Sequence, residues 1–182
     1  MNARRKLVGA ALAAMVMAPA GTAFASTQGS LGTTSTGSVS ISASVPSRVR
    51  ISGLSDVAFT NVDPGVDASN AQNVCVWSNT ATKGYRVTAT GSGTANAFTL
   101  ANGALTVPYS VEWSASSGQT GGTALSTGTP LTSLVSTATN VNCASGPSSS
   151  ASLIVKVGSA SLQTMNASTS YTGTLTLLVA PE

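Results

Sequence analysis

Apolar and polar residues alternate along several short stretches of the chain, which is the pattern of β-strands with one buried face. The clearest stretch is GSVSISASVP, residues 37–46. In a strand, its serines would point to one side and its apolar side chains to the other; the apolar set is Val39, Ile41, Ala43 and Val45. Pro46 lacks a backbone N–H and predicts the end of this strand. The pattern fits a strand of the protein's own sheet and a strand for another molecule equally well.

Further strand signals continue to the C-terminus, and no helical period accompanies them. The alternating or apolar runs lie at 74–77, 85–90, 97–100, 105–107, 109–113, 153–157 and 171–179. Asn102-Gly103 separates two of these runs and predicts a hairpin turn. About eight short strands without a helix predict an all-β fold, an immunoglobulin-like antiparallel β-sandwich.

The first 25 residues have the three parts of a secretory signal peptide. Residues 4–6 are basic, residues 7–17 form a short apolar run, and residues 23–25 fit the small-x-small cleavage rule. We expect cleavage after Ala25 and export of a bacterial protein, through the periplasm to the cell surface or the medium. No later run approaches the roughly 20 apolar residues of a membrane span, so direct insertion into a membrane is not expected.

The rest of the chain divides into an N-terminal extension, residues 26–46, and a β-sandwich domain, residues 47–182. Three of the eight Lys and Arg residues lie in the signal peptide, and the remaining ones equal the five Asp and Glu residues in number. The exported chain is therefore close to neutral. Without a basic patch, nucleic acid and anionic lipid are not expected as partners.

Groups that could perform catalysis are scarce. The chain has no histidine, which removes the most frequent general base and metal ligand. Asp56, Asp63 and Asp67 lie close together in sequence, but the stretch NVDPGVDASN lacks the dense ligand spacing of a calcium loop. We expect no enzymatic activity, no catalytic residue, no metal site and no cofactor.

The two cysteines, Cys75 and Cys143, predict a structural disulfide because an exported chain meets an oxidising compartment. Trp77 follows Cys75 by two residues and shares its face of the strand, so we expect it to pack beside the disulfide in the core. The five Trp and Tyr side chains could form a platform that stacks on sugars, although their strand positions favour places in the core. They are Trp77, Trp113, Tyr85, Tyr109 and Tyr171.

The two ends of the exported chain resemble chaperone–usher pilin subunits, most closely those of alpha-type (class 5) fimbriae. SVSISASVP is similar to their N-terminal alternating strand, which a proline follows closely. YTGTLTLLVAPE is similar to their closing strand with its Tyr-x-Gly start. Between the ends, the chain resembles these subunits only in being a Gly-, Ser- and Thr-rich β domain.

The resemblance implies a structural subunit of a fimbrium, or pilus, with a role in surface adhesion or biofilm formation. Such subunits have an immunoglobulin-like domain that lacks one strand, which leaves an apolar groove. A periplasmic chaperone covers the groove, and an outer-membrane usher exchanges it for the N-terminal strand of the next subunit. The implied donor residues are Val39, Ile41, Ala43 and Val45, with Pro46 as the hinge. The implied chaperone-facing residues are Tyr171, Gly173, Leu175, Leu177 and Val179.

Two other functions stay open at this point. One is a monomeric secreted β-sandwich that binds a glycan or a protein and uses residues 37–45 as its own first strand. The other is a component of a surface fibre or surface layer that assembles without a chaperone.

Overall fold

The computed structural model describes residues 26–182, so the predicted signal peptide lies outside the described residues. A compact unit covers Pro46–Glu182, and the residues before it belong to a separate unit. No helix within residues 26–182 is long and apolar enough to span a membrane.

The unit Pro46–Glu182 is an antiparallel β-sandwich with one disulfide, as predicted. Its strands are β1 Val49–Ser52, β2 Ala68–Ser78, β3 Gly84–Gly91, β4 Thr99–Asn102, β5 Leu105–Pro108, β6 Ser110–Ser114, β7 Thr123–Ala124, β8 Leu131–Val135, β9 Ala151–Val157 and β10 Leu175–Pro181. One sheet has the order β1-β2-β9-β6-β7, and the other has the order β10-β3-β8. The strands β4 and β5 form a separate hairpin.

The main core consists of inward-facing residues from both sheets. On β3, Tyr85, Val87 and Ala89 are completely buried, which confirms the alternation at 85–90. Trp113 on β6 meets Tyr85 edge to face, with 6.5 Å between the ring centroids. The indole Nε1–H of Trp113 donates a hydrogen bond of 3.2 Å to the Tyr85 hydroxyl. This pair therefore joins the two sheets at the centre of the sandwich.

The predicted hairpin is confirmed, with Asn102 opposite Leu105 in the register of β4 and β5. Gly103 has a φ of 60° there, a left-handed conformation that glycine adopts without a steric penalty.

Several features differ from the predicted elements, and one of them is that residues 39–45 form no strand. The described chain has ten strands, and it contains a short helix, α1 Ser159–Leu162, which the sequence pattern did not indicate. The closing strand begins at Leu175, not at Tyr171, because the four residues before it make other contacts. Thr172 forms an isolated bridge with Ala101, and the Thr174 N–H donates to Ser92 Oγ at 2.9 Å.

Candidate functional site

An open apolar groove of about 680 Å³ lies between the two sheets of the sandwich. One wall is the segment 54–62, and the opposite wall runs from Thr169 to Leu177. The floor includes apolar residues of the β9 sheet, namely Leu153, Val155 and Val157. Asp56 is the single charged residue among the lining residues. The floor of the groove is thus apolar, whereas both walls also carry hydroxyl side chains, among them Ser55, Thr60 and Thr172.

Both walls of the groove carry unpaired backbone. Within the described chain, β10 pairs with β3 along one edge only, so its other edge has no strand partner. On the opposite wall, residues 56–62 exchange no backbone–backbone hydrogen bond with any other described residue. Unpaired strand edges are templates for pairing with another segment. A strand inserted beside β10 could form a ladder with its free edge.

The wall segment 54–62 is held to the sandwich by one side chain and by apolar packing. Gln72 on β2 bonds Ser55 twice, since its Oε1 accepts from the Ser55 N–H at 2.7 Å and its Nε2 donates to the Ser55 carbonyl at 3.0 Å. Val57 and Phe59 are half-buried and pack against the main core. Val57 and Phe59 alternate with exposed residues, no residue of this wall belongs to a strand, and Asn61 has a left-handed φ of 54°.

Four of the five residues predicted to face a chaperone line the groove: Tyr171, Gly173, Leu175 and Leu177. Val179 is half-buried on the same face of β10 as Leu175 and Leu177, because side chains alternate along a strand. Tyr171 is 9% exposed, and its hydroxyl accepts a hydrogen bond of 3.1 Å from the Asn166 N–H. The predicted closing segment therefore forms one side of this site, although only its second half is strand.

Glycine is required at position 173 by a close approach of two backbone segments. A Cβ atom there would lie 2.8 Å from the Thr99 carbonyl oxygen and 3.2 Å from Leu100 Cδ2. The Tyr-x-Gly pattern thus has a structural cause at this end of the groove.

The segment predicted as a donor strand lies in the separate unit that precedes Pro46. Its larger apolar side chains are open to solvent, with Val39, Ile41 and Val45 between 72% and 90% exposed, and Ala43 is exposed as well. No strand is formed within residues 39–45, and Ser38 makes only an isolated bridge with Thr27. The donor role stays a prediction, since it concerns a second copy of the chain.

The disulfide prediction is confirmed, with Cys75 joined to Cys143 at a Cα–Cα distance of 6.0 Å. Trp77 packs beside it as expected, but both lie in a small cluster apart from the main core. Val74 and Val76 point into the main core, so β2 is buried on both faces. Burial on both faces explains why residues 74–77 are a continuous apolar run.

The described aromatic residues form no exposed platform. Trp113, Tyr85, Tyr109 and Tyr171 are all buried, with exposures of 1%, 0%, 9% and 9%. Trp77 is half-buried against the disulfide. The expected core positions are therefore confirmed for the four buried residues, whereas Trp77 packs in the smaller cluster.

Tyr109 has a property that its strand position did not indicate. Among the described residues, its hydroxyl is the one buried side-chain polar atom without a hydrogen-bond partner. Burial raises the pKa of Tyr109, since the phenolate would lose its hydration. The residue lines the groove beside Leu100 and Tyr171. The sequence carries no signal for such an unsatisfied group, because it depends on tertiary neighbours.

Asp63 and Asp67, near the start of β2, each accept a hydrogen bond from a backbone N–H. The Asp63 carboxylate accepts a hydrogen bond of 2.8 Å from the Gly65 N–H. Asp67 Oδ1 accepts from the Ser159 N–H at 2.7 Å, and hydrogen bonding with Ser159 lowers the pKa of Asp67. Residues 26–182 contain no group of three or more side chains arranged to hold a metal ion.

No model of a known protein family matches the chain, and no curated protein is similar to it in sequence.

Proposed function

We propose that the protein is an exported structural subunit of a surface fibre, of the chaperone–usher pilin kind. One copy would insert its residues 37–45 into the groove of the next copy. The observation that carries this proposal is the apolar groove with unpaired backbone on both walls, formed by β10 and residues 56–62.

The physical chemistry of residues 37–45 matches that of the groove. An inserted strand gains main-chain hydrogen bonds from the exposed edge, and its alternate side chains fill the space below. With a period of two, Val39, Ile41, Ala43 and Val45 enter the groove while the intervening serines face water. Residues 26–45 contain no charged side chain, so insertion buries no ion.

The first residues of the domain are fixed by hydrogen bonds with Asn79. The Asn79 side chain donates to the Pro46 carbonyl at 2.9 Å and accepts from the Arg48 N–H at 2.6 Å. The Asn79 N–H also donates to the Arg48 carbonyl at 3.1 Å. These bonds hold residues 46–48 extended beside the end of β2. The domain therefore starts at a fixed point, from which residues 37–45 would extend to a second copy.

The proposal also includes a chaperone and an usher, which would act on the same groove. Before assembly, the edge of β10 would be covered by a periplasmic chaperone, which an outer-membrane usher then replaces with the next subunit. The assembled fibre would lie on the cell surface and serve in adhesion or biofilm formation. The alternative of a monomeric glycan-binding protein receives no support from the aromatic residues, which are buried or half-buried.

The test is a pair of substitutions on opposite faces of the proposed donor strand. We expect Ile41→Asp in the full chain to abolish polymer formation, because a carboxylate would enter an apolar groove. Ser40→Asp is the matched control, since the same charge would face water and leave the polymer intact. Light scattering after size-exclusion chromatography and electron microscopy measure the assembly state, and circular dichroism measures folding.

Two outcomes would contradict the proposal. One is that Ile41→Asp and Ser40→Asp assemble to the same extent. The other is that wild-type chain, exported together with a chaperone and usher pair, is a monomer at every concentration. Unfolding of the Ile41→Asp chain would instead support residues 37–45 as a strand of their own domain.

A further inference from the structure

Gln72 on β2 supplies the hydrogen bonds that attach the wall segment 54–62 to the sandwich. Its amide bonds both polar groups of the Ser55 main chain, the N–H at 2.7 Å and the carbonyl at 3.0 Å. Residues 56–62 exchange no hydrogen bond with any other residue of the described chain. The directional contacts of this wall within the described chain thus come from one side chain.

The wall segment is fixed at its two ends and free of hydrogen bonds between Ser55 and its far end. β1 ends at Ser52 before it, and a turn follows it, in which the Asp63 carbonyl accepts from the Val66 N–H at 3.1 Å. Between these ends, Val57 and Phe59 pack against the main core. Apolar packing is non-directional and favours burial at any separation, whereas hydrogen bonds constrain distance and angle.

The place of Gln72 in the sheet is one that packing alone would give to an apolar residue. Side chains alternate along a strand, so Gln72 shares the inward face of β2 with Ala68 and Val74. Its cross-strand partner on β9 is Leu153, a residue of the groove floor, and Gln72 itself lines the groove. A polar group in such surroundings needs hydrogen-bond partners, and the main chain of Ser55 provides two.

From this geometry we propose that Gln72 is a positioning residue of the groove, which holds the wall segment 54–62 at the separation from β10 that admits an inserted strand. This inference rests on the proposed function. Gln72 acts through Ser55 and the wall, so no contact between Gln72 and the inserted strand is required.

The test uses the full-length Ile41→Asp chain as an acceptor that cannot donate, and a capped synthetic peptide of residues 37–46 as the ligand. We expect Gln72→Leu in this acceptor to weaken peptide binding at least about 5-fold, because two hydrogen bonds no longer favour the competent position of the wall. Isothermal titration calorimetry measures the affinity.

The stability of the empty acceptor separates positioning from a purely structural role. We expect Gln72→Leu to change the free energy of unfolding little, because Ser55 is exposed and its main chain then bonds water. Urea denaturation measures this value. A purely structural role for Gln72 predicts the reverse, lower stability with unchanged peptide affinity.

Asn70→Leu is the matched control, and proteolysis reports on the wall directly. Asn70 is half-buried on the same face of β2, and its side chain forms no hydrogen bond with a described residue. We expect Gln72→Leu to speed chymotrypsin cleavage after Phe59, since the wall detaches more often, and Asn70→Leu to leave both cleavage and peptide affinity unchanged. Gln72→Glu, which keeps the acceptor and loses the donor, is a second variant in case Gln72→Leu does not fold, and the same direction of change is expected.

The outcomes separate this inference from the function on which it rests. If the peptide does not bind the acceptor that retains Gln72, the proposed function itself is wrong. If that acceptor and its Gln72→Leu variant bind the peptide equally, donor-strand insertion stands and the role of Gln72 is refuted. Unchanged cleavage after Phe59, or an equal loss of affinity in Asn70→Leu, would also refute this role.

Discussion

At the scale of single residues, Gly173 shows how a short motif reflects one contact. A side chain at this position would press a Cβ atom against the Thr99 carbonyl oxygen at 2.8 Å, a backbone atom that cannot rotate away. We expect Gly173→Ala in the full chain to lower the free energy of unfolding by about 1–3 kcal/mol, the usual range for overpacking. Urea denaturation followed by tryptophan fluorescence measures this value.

Gly121→Ala is the matched control for this substitution. A Cβ atom at Gly121 would have Glu112 Oε2 as its nearest neighbour, at an ordinary contact distance of 3.7 Å. We expect a change of less than about 0.5 kcal/mol, as is typical of surface positions. Equal effects of the two substitutions would show that the Thr99 contact does not constrain position 173.

Residue properties fixed by composition and compartment were predictable, whereas those fixed by tertiary neighbours were not. The pairing of Cys75 with Cys143 needed only the cysteine count and the expectation of export. The burial of Trp113 and Tyr85 followed from strand alternation. The unpaired hydroxyl of Tyr109 did not, because its state depends on which groups the fold brings near it.

At the scale of elements, strands with a clear apolar period were predicted and strands without one were missed. The alternation at 109–113 and 153–157 corresponds to β6 and β9, which pair with each other. The first half of β2, ASNAQN, is largely polar and gave no signal, yet it pairs with β9 from Ala68 to Val74. Pairing with β9 makes this segment a strand, although its own sequence lacks the apolar alternation of one.

The disulfide joins β2 to the loop before β9 and makes a prediction at the same scale. It connects residues 68 positions apart, and a loop of that length corresponds to about 4 kcal/mol of stabilisation in the chain-entropy model. We therefore expect the double variant Cys75→Ser and Cys143→Ser to lose stability by up to this amount. Urea denaturation with and without a reductant measures it, with the double variant as the control that a reductant should not change.

A contrary result would be equal stability of the oxidised and reduced wild-type chains. That result would mean that the small cluster of Trp77, Ala138 and the two cysteines holds the loop without the covalent bond.

At the scale of the whole molecule, the proposed joint has two unlike surfaces, a donor segment before Pro46 and a groove in the unit Pro46–Glu182. Contacts between unlike surfaces of identical copies produce open chains when the rotation between copies does not close a ring. A fibre built in this way has a free donor at one end and a free groove at the other. This asymmetry separates donor-strand polymerisation from a symmetric dimer or from nonspecific aggregation.

The asymmetry can be tested by mixing two defective full-length chains. Ile41→Asp disables the donor and keeps the groove, whereas Leu177→Glu disables the groove and keeps the donor, since Leu177 is a half-buried lining residue. We expect each variant alone to be a monomer and an equal mixture to give a dimer that does not grow further. Val57→Glu, on the opposite wall, is a second groove variant in case Leu177→Glu does not fold. Native mass spectrometry measures the stoichiometry of the mixture. If the mixture stays monomeric although each variant is folded, the groove does not receive residues 37–45 of another copy.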